Sequence, residues 1–382
     1  MRANPPLSLY VHLPWCVSKC PYCDFNSHAL QGDLPAEEYT QALIADLEAD
    51  LPLAWGRVVQ SVYFGGGTPS LFAADTIDKL LSALRARVAV RPGAEITLEA
   101  NPGTIEHDSF AAYRQAGINR VSLGVQSFDD DMLQRLGRIH RAAGVAGSLQ
   151  ALAESGISNF NIDLMYALPG QSREQAERDV RMAIAAGPTH ISFYQLTLEP
   201  NTAFAADPPE LPGIDAAWDM QQAGADALRP AGFSRYEISA YARPGRECVH
   251  NLNYWTYGDF LAIGAGGHGK VTLPAEGRVQ RYAKHRHPHQ YLNGLATAAW
   301  VAERRTLSEQ DLVFEYFLNR LRLRKGFREE EFCARTGVSW SVVEARVSEA
   351  IDKGLLERLD GRVQTTALGW NFVNDIQQMF LP

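Results

Sequence analysis

The chain has 382 residues, of which 46% are hydrophobic and 21% charged, which is the composition of a globular protein of two or three domains. Its net charge of -8 disfavours a protein that binds nucleic acid through a basic surface. The sequence has no apolar run of about 18 residues for a transmembrane helix, and its N-terminal residues lack the pattern of a signal peptide. We therefore expect a cytoplasmic protein with no transmembrane segment and no nucleic-acid partner.

Strand-like and helix-like segments alternate over the first two hundred residues. The predicted strands cover 7–12, 58–64, 95–99, 120–125, 160–166 and 190–196. The predicted helices cover 36–50, 75–89, 106–116, 129–154 and 173–186, and Asp75, Thr104 and Asp129 mark three helix starts. This alternation predicts parallel β/α units in an open sheet or in a full or partial barrel. In either architecture ligands bind at the carboxyl ends of the strands.

The second half of the chain has a different pattern. A proline-rich segment at 199–214 predicts a linker, and a mixed region follows it. Helical patterns are found near 214–229, 307–323, 328–335, 340–353 and 367–379, strand patterns near 233–241 and 269–282, and a hairpin pattern at 355–366. We predict three parts: a barrel core at 1–200, a linker and mixed region at 201–304, and a winged-helix-like helical domain at 305–382. The last part has no basic stripe, which favours packing or protein contact over DNA binding.

Three of the five cysteines lie within eight residues, as Cys16-x3-Cys20-x2-Cys23 after the first strand. Thiolates suit iron–sulfur clusters and zinc, and three cysteines on a cubane cluster leave one iron open to another ligand. A zinc site completed by His12 or His28, a redox dithiol, and simple burial of the thiols are the alternatives.

The motif Tyr10-x-His12-x-Pro14-x-Cys16-x3-Cys20-x2-Cys23 resembles that of the radical S-adenosylmethionine family, in particular its coproporphyrinogen-oxidase-like branch. The resemblance extends from about residue 7 to the C-terminus. It implies a partial (β/α)6 TIM-like barrel, a 4Fe-4S cluster on Cys16, Cys20 and Cys23, and S-adenosylmethionine bound to the open iron. In that family one electron from the cluster can cleave the cofactor to a deoxyadenosyl radical.

Residues at other predicted strand ends also match the family. The Gly65–Pro69 segment follows the second strand and is not a P-loop, since no Gly-Lys-Ser/Thr follows it. From the residues alone, a tight turn explains these glycines, and Arg138 reads as a surface arginine. Asp163 is more informative because it lies in an apolar strand, where an unpaired charge is costly. The resemblance implies that S-adenosylmethionine contacts Tyr10, Gly66, Gly67, Thr68, Glu99, Gln126, Arg138 and Asp163.

Two departures from the oxidases point to the subgroup described as heme chaperones. The oxidases carry a further cysteine two positions after the third, where this chain has Phe25. The segment His250-Asn-Leu-Asn-Tyr254-Trp255 matches the His-Asn-x-x-Tyr-Trp motif of the chaperone subgroup, which is associated with heme binding. A neutral imidazole is a good ligand for heme iron, and aromatic rings offer a flat surface to a porphyrin. Without the family, a hydrogen-bonded histidine beside core aromatics is the simpler interpretation.

Three hypotheses follow. The first is a heme chaperone that binds the cluster, S-adenosylmethionine and heme, forms a homodimer or another oligomer, and delivers heme to acceptor hemoproteins such as membrane-bound respiratory enzymes. The second is an oxygen-independent coproporphyrinogen III oxidase. The third is a zinc-stabilised barrel with a winged-helix partner domain.

Overall fold

We describe a computed structural model of the chain over residues 4–103 and 108–381. The first half contains eight strands: β1 (Leu7–Leu13), β2 (Trp15–Cys16), β3 (His28–Ala29), β4 (Val58–Gly66), β5 (Ala89–Ala100), β6 (Arg120–Gln126), β7 (Phe160–Tyr166) and β8 (His190–Gln195). It also contains six α-helices: α1 (Ala36–Ala54), α2 (Ala74–Arg87), α3 (Phe110–Gln115), α4 (Asp130–Arg135), α5 (Ala142–Ser155) and α6 (Arg173–Ala185). Among the described residues, no helix is both long and apolar enough to cross a bilayer.

Between residues 201 and 306 the chain adds six strands to these: β9 (Ser234–Glu237), β10 (Ala240–Ala242), β11 (Asp259–Ile263), β12 (His268–Leu273), β13 (Arg278–Lys284) and β14 (Val301–Thr306). The helices of the same segment are α7 (Ala203–Ala206), α8 (Ile214–Leu228), α9 (Val249–Trp255), α10 (Pro288–Leu292) and α11 (Gly294–Thr297). The C-terminal elements are α12 (Glu309–Arg320), α13 (Glu329–Thr336), α14 (Glu344–Asp352), β15 (Leu356–Leu359), β16 (Arg362–Thr365), α15 (Ala367–Asn371) and α16 (Val373–Gln378).

One twelve-stranded sheet organises the chain, in the order β14-β13-β12-β11-β1-β4-β5-β6-β7-β8-β10-β9. Strands β1 and β4 to β8 are parallel neighbours, and most of their residues are buried, apart from the first part of β5, because helices cover the sheet. The sheet keeps two edges, at β14 and β9, so the barrel is partial. This confirms the predicted fold class.

Strands from beyond residue 200 extend the same sheet at both sides. Strand β11 pairs in parallel with β1, and β12 to β14 follow it as antiparallel neighbours. At the other side β10 pairs antiparallel with β8. The sheet therefore crosses the boundary that we placed at residue 200, and the three-part division stays a prediction.

The C-terminal elements form a core of their own beside the barrel. Helices α12, α13 and α14 pack around Phe317, Phe332 and Trp340, and the hairpin β15–β16 closes this core. The hairpin turns at Asp360 and Gly361, whose φ angles of 50° and 71° fit the predicted two-residue turn. The arrangement is the winged-helix-like one that the sequence predicts.

The prediction of one continuous helix over 129–154 was wrong, and the break in it contributes to the site. The stretch 129–154 is two helices, α4 and α5, separated by a loop. Asp129 caps α4 as predicted, and Gly137, with φ of 69°, lies in the loop where a left-handed conformation is needed. The predicted cap Thr104 and the start of the predicted helix at 106 lie outside the described residues.

Candidate functional site

The three clustered cysteines face one cavity at the carboxyl ends of the barrel strands. Cys16 ends β2, and Cys20 and Cys23 lie on the loop that follows it, where the Cys23 amide donates a 3.1 Å hydrogen bond to the Cys20 carbonyl. All three side chains are half-buried and line a cavity of about 350 Å³. Burial raises the pKa of the Cys16 and Cys23 thiols.

Within residues 4–103 and 108–381, no three His, Cys, Asp or Glu side chains are arranged for a single metal ion. A mononuclear zinc site would need sulfurs about 3.8 Å apart, as Zn–S bonds of about 2.3 Å in a tetrahedron require. A cubane cluster makes a different demand, because each cysteine binds a different iron. The three thiols lie on one wall of the cavity, so each can bind a different iron of a cubane cluster.

Asn26 anchors the cysteine loop to the segments that follow β11 and β13. Its Nδ2 donates hydrogen bonds of 2.9 Å to the Ala265 carbonyl and 2.8 Å to the Arg286 carbonyl. The backbone carbonyl of Asn26 accepts a 2.9 Å hydrogen bond from His12 Nε2, which places the ring proton on that nitrogen. His12 Nδ1 then accepts from the Tyr10 hydroxyl at 3.0 Å, and burial lowers the pKa of His12 to about 4. His12 is thus a neutral structural histidine with both nitrogens in use, which weakens its candidacy as a zinc ligand.

The glycines after β4 let three backbone segments meet. A Cβ on Gly67 would lie 2.5 Å from the Trp15 carbonyl oxygen, and one on Gly66 would lie 2.6 Å from the His12 ring. Gly66 also has a φ of 118°. The amides of Gly67 and Thr68 donate to the carbonyls of Leu13 and Trp15, at 2.8 and 2.7 Å. Gly66 and Gly67 are therefore needed for close packing against β1 and β2, at the border of the cavity.

Glu99 brings a carboxylate to the end of β5. It accepts hydrogen bonds from the Tyr63 hydroxyl at 2.8 Å and from the Gly66 amide at 3.1 Å. Burial raises the pKa of Glu99 to about 7, and the neighbouring Asp163 carboxylate adds to the rise. A cationic ligand or hydroxyl donors beside this carboxylate would favour its ionised form.

Arg138 reaches the cavity from the loop between α4 and α5. Its Nη2 donates to Asn101 Oδ1 at 2.7 Å and to the Gly124 carbonyl at 3.0 Å, and its Nη1 donates to Cys20 Sγ at 3.3 Å. Arg138 Nε is buried and has no hydrogen-bond partner in the described structure. The guanidinium thus joins the cysteine loop to the strand ends and keeps a donor unused.

Asp163 and Gln126 complete the cavity wall on the next strands. Asp163 accepts bonds from Ser122 Oγ at 3.1 Å and Asn161 Nδ2 at 2.7 Å, and burial raises the pKa of its carboxyl. Gln126 has a φ of 65°, a left-handed conformation that strains a non-glycine residue and is common at functional sites. Its Oε1 accepts a 3.0 Å bond from the Tyr194 hydroxyl.

The structure brings together ten of the twelve predicted site residues around this cavity. They are Cys16, Cys20, Cys23, Gly66, Gly67, Thr68, Glu99, Gln126, Arg138 and Asp163. The two others lie elsewhere: Tyr10 lines a neighbouring cleft, and His250 is buried, with 1% of its surface exposed.

His250 lies in the first turn of α9 and is fully engaged. Its Nδ1 is 3.0 Å from Ser61 Oγ, and its Nε2 is 3.0 Å from the Tyr254 hydroxyl. Burial lowers the pKa of His250 to about 3, so the ring is neutral. A heme iron would have to displace one of these two partners, and the assignment of His250 as a heme ligand stays a prediction.

Comparison with known proteins agrees with this geometry. The radical SAM superfamily model matches residues 10–183, and the HemN C-terminal domain model matches residues 307–372. The chain is 48% identical to the heme chaperone HemW of Escherichia coli strain K12 over 99% of this chain and 98% of the relative. It is 47% identical to the heme chaperone HemW of Haemophilus influenzae over 100% and 99%.

This chain belongs to the HemW family of radical SAM proteins. Among solved structures, it is similar to coproporphyrinogen III oxidase (HemN) of Escherichia coli, with a TM-score of 0.83 over 99% of this chain and 90% of that one. At 23% sequence identity that likeness establishes the shared fold. In this HemW-family chain the superfamily match runs from β1 to α6, which includes all ten cavity residues.

The donor set of the cavity fits the cofactors of radical SAM proteins. Three thiols on one wall can each bind one iron of a cubane and leave the fourth iron open. The carboxylates of Glu99 and Asp163 are held where burial disfavours their charge, and a sulfonium or ammonium group would offset that cost. The unused donor of Arg138 suits a carboxylate.

Sequence reasoning missed three polar residues of this HemW-family site. Asn101 bonds both Thr68 Oγ1 and Arg138, and it lies two residues after Glu99, a spacing that places both on one face of an extended segment. Tyr194 lies near the end of β8 and follows the same strand-end rule. Nothing in the sequence around Tyr63 indicates a role in the site, because that role is the hydrogen bond to Glu99, which only the structure shows.

Proposed function

We propose that this protein is a heme chaperone that carries a 4Fe-4S cluster and S-adenosylmethionine and delivers heme to acceptor hemoproteins. The observation that carries the proposal is the single cavity that unites three cysteine thiols, two half-buried carboxylates and a half-buried arginine. Full-length relatives at 40–48% identity are named heme chaperones, which supports the same function here.

In this proposal Cys16, Cys20 and Cys23 would each hold one iron of the cluster, which would leave one iron free for S-adenosylmethionine. When bound, the cluster supplies an electron at low potential. Arg138 pairs with the cofactor carboxylate, and Glu99 accepts hydrogen bonds from the ribose hydroxyls. The proposed contacts of S-adenosylmethionine along the cavity are Gly66, Gly67, Thr68, Glu99, Gln126, Arg138 and Asp163.

Phe25 favours the chaperone over the oxidase. It lies on the cysteine loop, two residues after Cys23, where the resemblance places a further cysteine in coproporphyrinogen oxidases. Its side chain is 60% exposed and lines both the first cavity and the neighbouring cleft. An exposed aromatic ring at this position offers contact area to a flat apolar ligand and no thiol for chemistry. The aromatic motif His250–Trp255 reaches the same cleft through Tyr254.

We also propose that the protein works in the cytoplasm. A reducing cytoplasm keeps three clustered thiols available for iron. Respiratory hemoproteins are the acceptors that we propose, and a homodimer is the proposed assembly.

Two assays on one preparation test this function. Protein reconstituted anaerobically with iron and sulfide, and supplied with S-adenosylmethionine and reductant, should bind hemin and pass it to apomyoglobin, a general acceptor. The same preparation should not convert coproporphyrinogen III to protoporphyrinogen IX. Rapid decarboxylation without heme transfer would establish the oxidase instead.

A further inference from the structure

A second cleft lies beside the first cavity, on the other side of the cysteine loop. It has a volume of about 750 Å³, and pockets for small molecules and cofactors span about 300–1,000 Å³. Phe25 lies on one wall, and Tyr254 and Phe260 lie on another. Gly66 and Glu99 border both cavities, so a ligand in the cleft would lie next to the proposed cofactor site.

His268 opens β12 and faces this cleft. The strand register places it beside Ala283, which in turn lies beside Glu303. The side chain is exposed and makes no hydrogen bond to the described part of the chain. Partial loss of solvent, together with the positive charges of Arg281 and Arg286, lowers the pKa of His268 and so favours its neutral ring. A neutral imidazole with a free nitrogen is a common ligand for heme iron.

Neither His12 nor His250 has a free ring nitrogen to offer in this conformation. His12 lines the cleft, but both of its ring nitrogens are hydrogen-bonded, to Tyr10 and Asn26. His250 lies behind the cleft and is bonded at both nitrogens as well. Between the two histidines that line the cleft, the described structure leaves only His268 with a free ring.

The rest of the lining suits a porphyrin. Tyr254 and Phe260 pack edge to face with centroids 4.3 Å apart, and with Phe25 they offer apolar area to a flat ring. Arg286 is exposed at the cleft and makes no ion pair within the described residues, so it is free to pair with a propionate carboxylate. Asp24 and Glu303 would repel propionates, which orients the acidic edge of the porphyrin toward Arg286.

His250 acts on this cleft through Tyr254. The 3.0 Å contact between His250 Nε2 and the Tyr254 hydroxyl, with the two rings nearly perpendicular, holds the tyrosine ring in the cleft wall. In the His-Asn-x-x-Tyr-Trp motif, the tyrosine therefore lines the cleft, and the histidine is buried behind it and holds the tyrosine ring in place.

We propose that this cleft is the heme site, that His268 supplies the axial ligand to the iron, and that His250 is a positioning residue for Tyr254. This inference rests on the proposed function. It assigns iron ligation to His268 and the positioning of Tyr254 to His250, whereas the sequence motif points to His250 alone.

Hemin titration of the reconstituted full-length protein tests the assignment, with the Soret band and the EPR spectrum as readouts. His268→Ala should change the axial-ligand signature and weaken hemin binding about tenfold or more, and added imidazole should restore the spectrum. His250→Ala should weaken binding while it keeps the wild-type ligand signature. His289→Ala, a matched exposed histidine outside the cleft, should behave as the wild type.

A second variant guards against misfolding as the explanation. Ala302 is exposed at the cleft, so Ala302→Trp should block hemin while iron content and circular dichroism stay unchanged. A wild-type ligand signature in His268→Ala, or loss of that signature in His250→Ala alone, would overturn the assignment and leave the chaperone function standing. Failure of the wild-type protein to bind hemin would overturn the proposed function itself, and this inference with it.

Discussion

The Arg138 guanidinium donates a hydrogen bond of 3.3 Å from Nη1 to Cys20 Sγ, while its Nη2 holds Asn101 at 2.7 Å. One side chain thus touches a proposed cluster ligand and the wall of the proposed S-adenosylmethionine site. A positive charge next to a thiolate stabilises the thiolate and favours the reduced, more negative state of a cluster.

Arg138→Met should therefore change two properties at once. Loss of a charge-assisted hydrogen bond should weaken S-adenosylmethionine binding about tenfold to a hundredfold. Loss of the positive charge should lower the cluster's reduction potential, as measured by redox titration followed by EPR. Arg141→Met on the same loop is the matched control, because its side chain is 75% exposed. An unchanged potential and an unchanged affinity in Arg138→Met would show that the guanidinium only packs the loop.

The cysteines make a prediction about iron content. Reconstituted wild-type protein should hold about four irons and four sulfides per chain. Cys16→Ala, Cys20→Ala and Cys23→Ala should each abolish the cluster, because a cubane held by two protein thiolates loses an anchor. Cys333→Ala should keep full iron content, since that thiol packs against the C-terminal core. Stoichiometric zinc without sulfide in the native protein would contradict the cluster.

Glu99 makes a prediction about pH. Its pKa of about 7 means that the carboxyl is half protonated near neutrality in the protein without ligand. A cationic cofactor whose hydroxyls donate to this group favours the ionised form, so binding expels the proton. Affinity for S-adenosylmethionine should therefore rise with pH below about 7, by up to about tenfold per unit, and level off above it.

Calorimetry at several pH values in buffers of different ionisation enthalpy measures the proton release directly. Glu99→Gln removes the titrating group and keeps its size, so this variant should bind more weakly and show a flatter pH profile. The cofactor's own titration is common to both proteins and cancels in the comparison. Identical slopes for the two proteins would rule out Glu99 as the titrating contact.

Gly67 makes a prediction about stability. An alanine Cβ there would lie 2.5 Å from the Trp15 carbonyl oxygen, so the cysteine loop must move away from the strand end. Gly67→Ala should destabilise the protein by about 1–3 kcal/mol, as other overpacked sites do, and should slow cluster reconstitution. Gly144→Ala is the control, because nothing lies within 4 Å of its Cβ position and alanine favours a helix. Equal urea midpoints for the two variants would contradict the packing argument.

The sequence pattern predicted the parallel β/α units, because most of the strands contain a short apolar run between helical segments, and the family resemblance then chose the partial barrel over an open sheet. The strand ends also predicted which side chains share a cavity, since parallel strands bring their carboxyl ends together. The position of Arg138 could not be read this way. Helical periodicity runs through 129–154, and only the tertiary structure shows that the chain breaks at Gly137 and turns the arginine inward.

The local sequence could not predict which strands surround the His250–Trp255 motif. Strand β11 lies beside β1 although some 250 residues separate them in the chain, and no local pattern encodes that pairing. It is this pairing that brings His268 next to the cysteine loop. The motif itself pointed to His250, because a sequence shows which residue types are present and not which ring nitrogens are already bonded.

Asn26 connects the cysteine loop to the wall of the proposed heme cleft. It lies three residues from Cys23 and is bonded to the turn just before His268 and to the chain at Arg286. A ligand that orders the cysteine loop should also order a wall of the cleft, so cluster assembly and the proposed heme binding should favour each other to the same degree. Under the proposed function, oxidative loss of the cluster would then lower the affinity for heme, and the fraction of protein loaded with heme would follow the cell's supply of assembled iron and sulfide.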